Sequence, residues 1–297
     1  MSQVDPFGLL IVDKPVGPTS HDVVQAVRRG LDMRKVGHTG TLDPLASGVL
    51  VICLGPATRL SEYLIDKSKR YRATILFGST TSTYDAEGEV IHESGQTPSR
   101  EHIEEELETF TGDIRQRPPD YSAVRVKGQR AYDMSRRGEA PQLEARQVTV
   151  HRLELLEYEP PQLTLEVHCS AGTYIRSLAH DLGVAVGTGA YLAGLRRTEV
   201  GPFGLDRAVA LDALEDAMRA SEWEQYLVPA AKALPDWPQV EVEGETLEGI
   251  RHGRTIPADG RAQGLARAIG PQGRLIAVLE PAEDGEAWHP HKVFQSE

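Results

Sequence analysis

Val36-Gly37-His38-Thr39-Gly40-Thr41-Leu42-Asp43-Pro44-Leu45-Ala46-Ser47-Gly48-Val49-Leu50 carries an irregular loop into an apolar run. Gly37 and Gly40 flank His38-Thr39 and allow backbone angles or close approaches that a side chain forbids. Pro44 pushes Asp43 out of the α region, which places this carboxylate on an extended or turn segment. Beyond Gly48, the run Val49 to Leu54 is long enough for a buried strand, although periodicity alone does not separate it from a short buried helix. The stretch reads as a loop anchored to the core and presenting one His and one Asp. Taken alone, a turn in which Asp43 only bonds neighbouring amides is the commoner reading of such a loop.

At 297 residues the chain can build one large core, or a main domain plus a small one. Its hydrophobic and charged fractions, 40% and 26%, are ordinary for a water-soluble globular protein. Met1-Ser2-Gln3-Val4-Asp5-Pro6 has no basic start, and no later segment approaches membrane-spanning length. Cys53 and Cys169 lie far apart in apolar runs and read as buried thiols in a reducing compartment, which predicts a cytoplasmic protein. The net charge of −12 argues against a polyanionic partner until it is divided along the chain. Residues 1–72 carry ten Lys/Arg against seven Asp/Glu, and residues 115–152 carry nine against four. The acidity is concentrated in 85–113, with one against ten, and in 206–248, with three against eleven. A nucleic acid responds to the local patch more than to the total, so the charge pattern permits one without requiring it.

From the N-terminus, Gly8 to Val12 reads as a strand and Asp13 to Ser20 as a turn, with Ser20 the N-cap of a helix that buries Val23, Val24 and Val27. Gly55 to Leu60 leads into a helix ending near Asp66, and Ala73 to Gly78 forms a strand. Between them Lys67-Ser68-Lys69-Arg70-Tyr71-Arg72 sets a tyrosine among cations, which suits stacking of an extruded base beside phosphates. A half-buried strand tyrosine is the plainer alternative. Ser99 to Phe110 is an acidic amphipathic helix with Ile103, Leu107 and Phe110 on one stripe. Gln147 to Glu157 and Leu163 to Ser170 alternate as paired strands. The second runs through a Gly172 turn into a helix opening at Thr173, whose first turn contains Arg176. That arginine can face a carboxylate such as Asp43 and hold it ionised, although an arginine on a helix more commonly faces solvent. Leu205 to Ala220 reads as one helix, and Pro229, Pro235 and Pro238 punctuate a connector that sets a domain boundary near residue 237. Short strands and Gly-rich turns from Val240 onward suit a small β-barrel. Ser177, His180 and Asp181 sit three and four apart on one helix, the wrong geometry for a hydrolytic relay. Gly183 to Gly189 lacks the spacing of a phosphate loop, and His289-Pro290-His291 has no third metal ligand nearby.

His38 to Gly48 resembles, throughout, the pattern His-Thr-Gly-x-Leu-Asp-Pro-x-Ala-x-Gly of the TruB family of tRNA pseudouridine synthases. Further motifs are similar to that family in the same order: Lys14-Pro15-x-Gly17-x-Thr19-Ser20, Lys69-x-Tyr71, Pro118-Pro119 with Ser122-Ala123-x-Arg125-x-x-Gly128, Gly172-Thr173-Tyr174-Ile175-Arg176, and Leu195-Arg196-Arg197-Thr198. Ser82 stands where the family usually has Asp, and Tyr191 where it commonly has His, so neither is given a role. Arg251-His252-Gly253, Gly273-Arg274-Leu275-Ile276-Ala277 and Pro290-His291-Lys292-Val293-Phe294 look like a PUA domain, a small RNA-binding module.

The resemblance implies an α+β pseudouridine synthase fold, with a mixed, largely antiparallel sheet and a central cleft, plus a C-terminal PUA β-barrel. It implies a catalytic domain at 1–237 with a thumb-like RNA-binding insertion at about 115–150, and a PUA-like domain at 238–297. The implied activity is conversion of uridine 55 in the T-loop of tRNA to pseudouridine through base flipping. In this reading Asp43 is the nucleophile, Arg176 orients it and Tyr71 stacks on the uracil. Tyr174 contacts the nucleotide, Leu195 borders it, and His38 fills the space left by the extruded base. Asp85 reads as a structural or orienting residue, and Arg136 and Arg137 add to a cationic thumb. Isomerisation calls for no cofactor and no metal; the expected partner is the T-arm of tRNA, with no membrane, and the chain is expected to act as a monomer. Whether Asp43 attacks C1′ or C6 is left open by the sequence. Two other readings share these residues: a tRNA folding factor without chemistry, and a carboxylate hydrolase with Asp85 as its acid. Removal of residues 238–297 is expected to weaken RNA binding more than chemistry.

Overall fold

The computed structural model describes residues 6–294 apart from Ala123, Lys127 and Ala140. Those last two thumb-segment positions, Ala123 of the expected motif, and the side chains of Arg125, Arg130 and Arg136 lie outside the described residues.

The first half of the chain forms β1 (Gly8–Lys14), α1 (Ser20–Gly30), β2 (Val36–His38), β3 (Ala46–Leu54), α2 (Ser61–Ile65), β4 (Lys69–Phe77), β5 (Ser79–Thr81), β6 (Val90–Glu93) and α3 (Arg100–Thr109). The thumb segment and its supports follow as β7 (Gly112–Gln116), β8 (Arg125–Val126), β9 (Gln129–Arg130), α4 (Ala131–Arg136), β10 (Arg146–Glu159) and β11 (Gln162–Cys169). Next come α5 (Ile175–Ala185), β12 (Ala190–Val200), β13 (Phe203–Gly204), β14 (Val209–Ala210), α6 (Leu211–Arg219) and β15 (Val228–Pro229). The tail holds β16 (Gln239–Glu241), α7 (Gly244–Arg251), β17 (Ile256–Pro257), β18 (Ala266–Gly270), β19 (Arg274–Pro281) and β20 (Ala287–Val293).

Eleven strands make the main sheet, whose path runs β14-β1-β3-β12-β4-β11-β10-β7. Along that path β1–β14 and β3–β12 pair in parallel and the rest antiparallel, so the sheet is mixed and largely antiparallel as expected. The continuous apolar run of β3 follows from burial on both faces. Leu50, Ile52 and Leu54 pack with α1, α3, α5 and α6, while Val49, Val51 and Cys53 pack into a second core on the opposite face. That two-sided burial settles the strand over the helix for this run. Cys53 and Cys169 are both free and buried, and burial pushes their thiols up to about 12 and about 11.

Two local readings are corrected. Thr19, not Ser20, caps α1: its hydroxyl accepts from Asp22 N–H while the Asp22 carboxylate accepts from Thr19 N–H. Ser20 opens the helix, and its hydroxyl bonds both the N–H and the carbonyl of Leu42, tying α1 to the Asp43 loop. The expected helix over Leu205 to Ala220 is broken, because Val209-Ala210 pairs with Val12-Asp13 of β1 before α6 begins. A partner distant in sequence overrides local propensity there.

The tail is a five-stranded curled half-barrel in the order β16-β18-β19-β20-β17, consistent with a PUA-like unit. Ile269, Leu275, Val278 and Phe294 share the second core with Leu9, Ile11, Leu60 and Leu64 of the main sheet and its flank. Around this seam Arg59 donates to the Val293 carbonyl at 2.6 Å and lies over the Phe294 ring, and Lys292 pairs with Glu62.

Candidate active site

Asp43 stands on the loop between β2 and β3, and the chain fixes that loop from several sides. The Thr39 N–H donates to the Val51 carbonyl and the Ala46 N–H to the Asp43 carbonyl. Beneath it, the Gly17 N–H donates to the Pro44 carbonyl at 2.9 Å, so the Lys14–Ser20 turn props the Asp-Pro corner. Lys14 closes that turn, its buried amine donating to the Pro15 and Pro18 carbonyls at 2.8 and 2.7 Å. Burial drives the Lys14 amine down to about 8, against a smaller upward pull from Asp43.

Arg176 reaches the loop from the first turn of α5, with its side chain only 9% exposed. Its Nη2 lies 3.1 Å from Asp43 Oδ2 and donates to the Tyr121 carbonyl at 2.9 Å. Its Nη1 lies 3.1 Å from Asp85 Oδ2 and donates to the Thr83 carbonyl at 3.3 Å. One guanidinium therefore binds the Asp43 loop, the segment after β5 and the root of the thumb. Asp85 is itself locked by the Thr83 hydroxyl and by the Glu87 N–H. Asp43, by contrast, is 40% exposed, a carboxylate aimed from one side and open on the other.

A cavity of about 270 Å³ opens beside that exposed face. Asp43, Arg176, Tyr71, Tyr174 and Leu195 all line it, five of the six expected site residues in one cleft. Tyr71 stands on β4 with its phenol pushed up by burial and with the Arg197 guanidinium beside its hydroxyl. Leu195 comes from β12, where it pairs with Ala73 across β4 and with Ala46 across β3. Tyr174 is held by Gln116, whose side chain accepts from the Tyr174 N–H and donates to its carbonyl. His38 is not among the cavity-lining residues; its Nδ1 accepts from the Gly40 N–H at 3.3 Å, and burial lowers its basicity. On its other side Asp43 borders a second cavity of about 500 Å³, shared with Thr19, Pro44, Thr83, Asp85 and Glu87.

Two cleft residues stood in the quoted motifs without a role: Lys69 and Arg197, both buried and both lining the cavity. Their signal was positional. Lys69 shares a strand face with Tyr71 two residues on, and Arg197 is the cross-strand partner of Tyr71. The thumb cations are less free than their number suggests, since Arg117 pairs with Asp120 and Arg137 with Glu139.

Three family models tile nearly the whole chain: TruB family pseudouridylate synthase (N terminal domain) at residues 28–175, tRNA pseudouridylate synthase B C-terminal domain at 176–234, and tRNA Pseudouridine synthase II, C terminal at 237–295. The tRNA pseudouridine synthase B of Pseudomonas putida (strain GB-1) is 44% identical over 294 residues, 98% of this chain and 96% of that protein. Its counterpart in Pseudomonas aeruginosa (strain UCBPP-PA14) is 44% identical over 293 residues, 97% of this chain and 96% of that protein. A solved chain from a Cbf5-Nop10-Gar1 complex overlays with a TM-score of 0.75 at 30% identity, covering 97% of this chain and 85% of that one. With this fold, this cleft and these relatives, the chain belongs to the TruB family of pseudouridine synthases, which are isomerases.

Proposed function

We propose that this chain converts uridine 55 in the T-loop of tRNA to pseudouridine, with Asp43 as the nucleophile. The observation that carries the reading is the Asp43–Arg176 pair, 3.1 Å apart, set in the wall of a cleft that Tyr71 also lines. The cleft is smaller than pockets for drug-sized ligands and suits a single nucleobase. A base inside an RNA stack cannot reach such a wall, so the target uridine has to be flipped out. Asp43 then bonds to the nucleoside and divides one difficult displacement into easier steps. Arg176, anchored to Asp85 on its far side, aims the carboxylate. Tyr71 stacks on the uracil, Tyr174 and Leu195 border it, and His38 occupies the place it vacates.

In the same reading residues 1–237 form the catalytic domain, and the segment at about 115–150 closes over the T-arm. Residues 238–297 add an RNA-binding unit, and the chain works as a monomer in the cytoplasm without cofactor or metal. Asp43→Asn tests the central claim. Tritium release from C5-labelled uridine in tRNA is expected to cease while filter-binding affinity stays within about threefold, because the lost group acts on the bond being broken. Release at the wild-type rate overturns the assignment.

A further inference from the structure

Arg197 is only 2% exposed and Lys69 only 7%, yet neither has a carboxylate within 4.0 Å among the described residues. Arg197 is solvated by neutral dipoles: Nε donates to the Val49 carbonyl at 2.7 Å, Nη2 to the Gly40 carbonyl at 3.1 Å and Nη1 to the Thr41 carbonyl at 3.5 Å, and the Tyr71 hydroxyl lies within its hydrogen-bonding reach. Lys69 donates to the carbonyls of Ile65 and Lys67 at 2.7 and 2.6 Å. Buried charges are ordinarily paired, because removal from water is expensive when no opposite charge compensates. Two uncompensated cations in one cleft violate that rule, and such violations concentrate where a ligand supplies the missing charge.

The geometry selects which part of the ligand that is. Lys69 and Tyr71 share one face of β4, and Arg197 lies directly opposite Tyr71 on β12. A β-carbon on Gly40 would stand 3.6 Å from Arg197 Nη1 and 3.8 Å from Lys69 Cε, so both cations also abut the Asp43 loop. In a flipped nucleotide the base leads into the cleft, whereas its phosphates stay tethered to their neighbours at the mouth. The buried cations therefore meet the ring that stacks on Tyr71.

We propose that Lys69 and Arg197 form an electropositive floor that stabilises the negative charge the uracil ring acquires during isomerisation. This rests on the uridine reading given above, and it holds for either point of attack. If Asp43 bonds to C1′, the C1′–N1 bond breaks and its electron pair stays on the ring, spread over N1, O2 and O4. If Asp43 bonds to C6, the C5–C6 pair moves onto C5 and O4. On the first route C5 attacks C1′ and Asp43 departs as the carboxylate; on the second the C1′–N1 bond breaks, C5 bonds to C1′ and Asp43 is expelled from C6. In both, the C5 hydrogen leaves as a proton and N1 gains one, so no co-reactant is consumed. Fixed charges aimed at a developing anion in a water-poor site lower its barrier. Burial and the neighbouring Arg197 bring the Lys69 amine down to about 8, with Cys169 and Asp66 pulling the other way. The cation is kept where it is costly to keep.

The test compares wild type with Lys69→Met on T-arm RNA carrying either uridine or 5-fluorouridine at the target. Fluorine stabilises the ring anion by itself and so lessens the need for the floor. Single-turnover loss of uridine is expected to slow by on the order of tenfold to a hundredfold, with the dissociation constant within about threefold and a clearly smaller penalty for 5-fluorouridine. Lys69→Arg restores most of the rate. Equal penalties on the two substrates overturn the proposal. So does weakened binding whose salt slope falls by about one, the signature of a phosphate contact. Thermal melting monitors folding, and if Lys69→Met does not fold, Lys69→Gln carries the same comparison. If wild type itself forms no pseudouridine, the uridine reading fails; if wild type does and Lys69→Met matches it, only this inference fails.

Discussion

Asp43 and Asp85 sit at the same 3.1 Å from Arg176, yet their side chains are 40% and 3% exposed. That difference separates their expected effects. Asp43→Asn breaks a half-exposed pair, worth under about 1 kcal/mol of stability, and removes the proposed nucleophile. Asp85→Asn strips the buried guanidinium of its inner countercharge, a loss of roughly 3–5 kcal/mol, and also frees Arg176 to swing from Asp43. Urea midpoints and tritium release, measured on both variants, are expected to show activity lost in both but stability lost only in Asp85→Asn. Tyr71→Leu keeps an apolar wall and removes the ring, so about 1–3 kcal/mol of base contact should vanish, read as a slower single-turnover rate. Lys69 adds a pH dependence with a defined sign. Its amine titrates near 8 when folded, against 10.5 as its ordinary value. Below pH 8 both states are protonated and a burial cost of roughly 3 kcal/mol is fully present. Between 8 and 10.5 only the unfolded state holds the proton, so stability rises with pH. Relative to Lys69→Met, wild type should therefore gain up to roughly 3 kcal/mol from pH 7 to pH 10.5, by denaturant midpoints. Asp43 and Arg176 were legible because they sit beside turns with a chemistry of their own, and Tyr71 because it is set among cations. Lys69 and Arg197 stand in motifs of the same family but drew no role, since cations in strands are ordinarily read as solvent-facing, and only the register across β4 and β12 turns them inward.

At the scale of elements, the site depends on the seam where β3 and β12 run parallel. Gly48 pairs with Arg197 there at φ +102°, and a β-carbon on it would fall 2.1 Å from the Arg197 carbonyl oxygen. No side chain fits in that space, and the positive φ alone costs about 1–3 kcal/mol for an L residue. Gly48→Ala is expected to lower the urea midpoint by at least that much and to displace Arg197 and the Asp43 loop together. A variant with wild-type midpoint and turnover would show that the seam yields without cost. The helix cap makes a calibrating contrast. Thr19→Ala removes both bonds of the capping hydroxyl to Asp22, about 1 kcal/mol, and leaves the Ser20 contacts to Leu42 in place. Helices and strands with a clear period, such as α3 and the β10–β11 pair, could be read directly from their sequences. The break at Val209 could not, because it is made by β1, nearly two hundred residues away.

Across the whole molecule, the tail is built into the core. Leu275, Val278 and Phe294 pack with Leu9, Ile11, Leu60 and Leu64, and Lys67 reaches Asp236 across the connector at 3.2 Å. The run of prolines reads locally as a linker, but nothing local reports that β1 and β3 are apolar on the face the tail covers. Deletion of residues 238–297 therefore cannot be expected to weaken RNA binding while sparing chemistry, as the linker reading anticipates. Each large apolar side chain uncovered forfeits about 1.5–3 kcal/mol, and four of them approach the 5–15 kcal/mol that holds a typical domain together. The full chain is expected to melt in one cooperative transition. The truncated chain should melt far lower and bind a hydrophobic dye at temperatures where the intact chain does not. An RNA-binding role for the tail is better probed by changing its exposed cations with the seam intact, for example Arg254→Gln. Such a variant should weaken T-arm binding and flatten its salt dependence while the melting temperature and the saturated single-turnover rate hold. Unchanged affinity across a set of such variants would leave the tail as a structural buttress of β1 and β3.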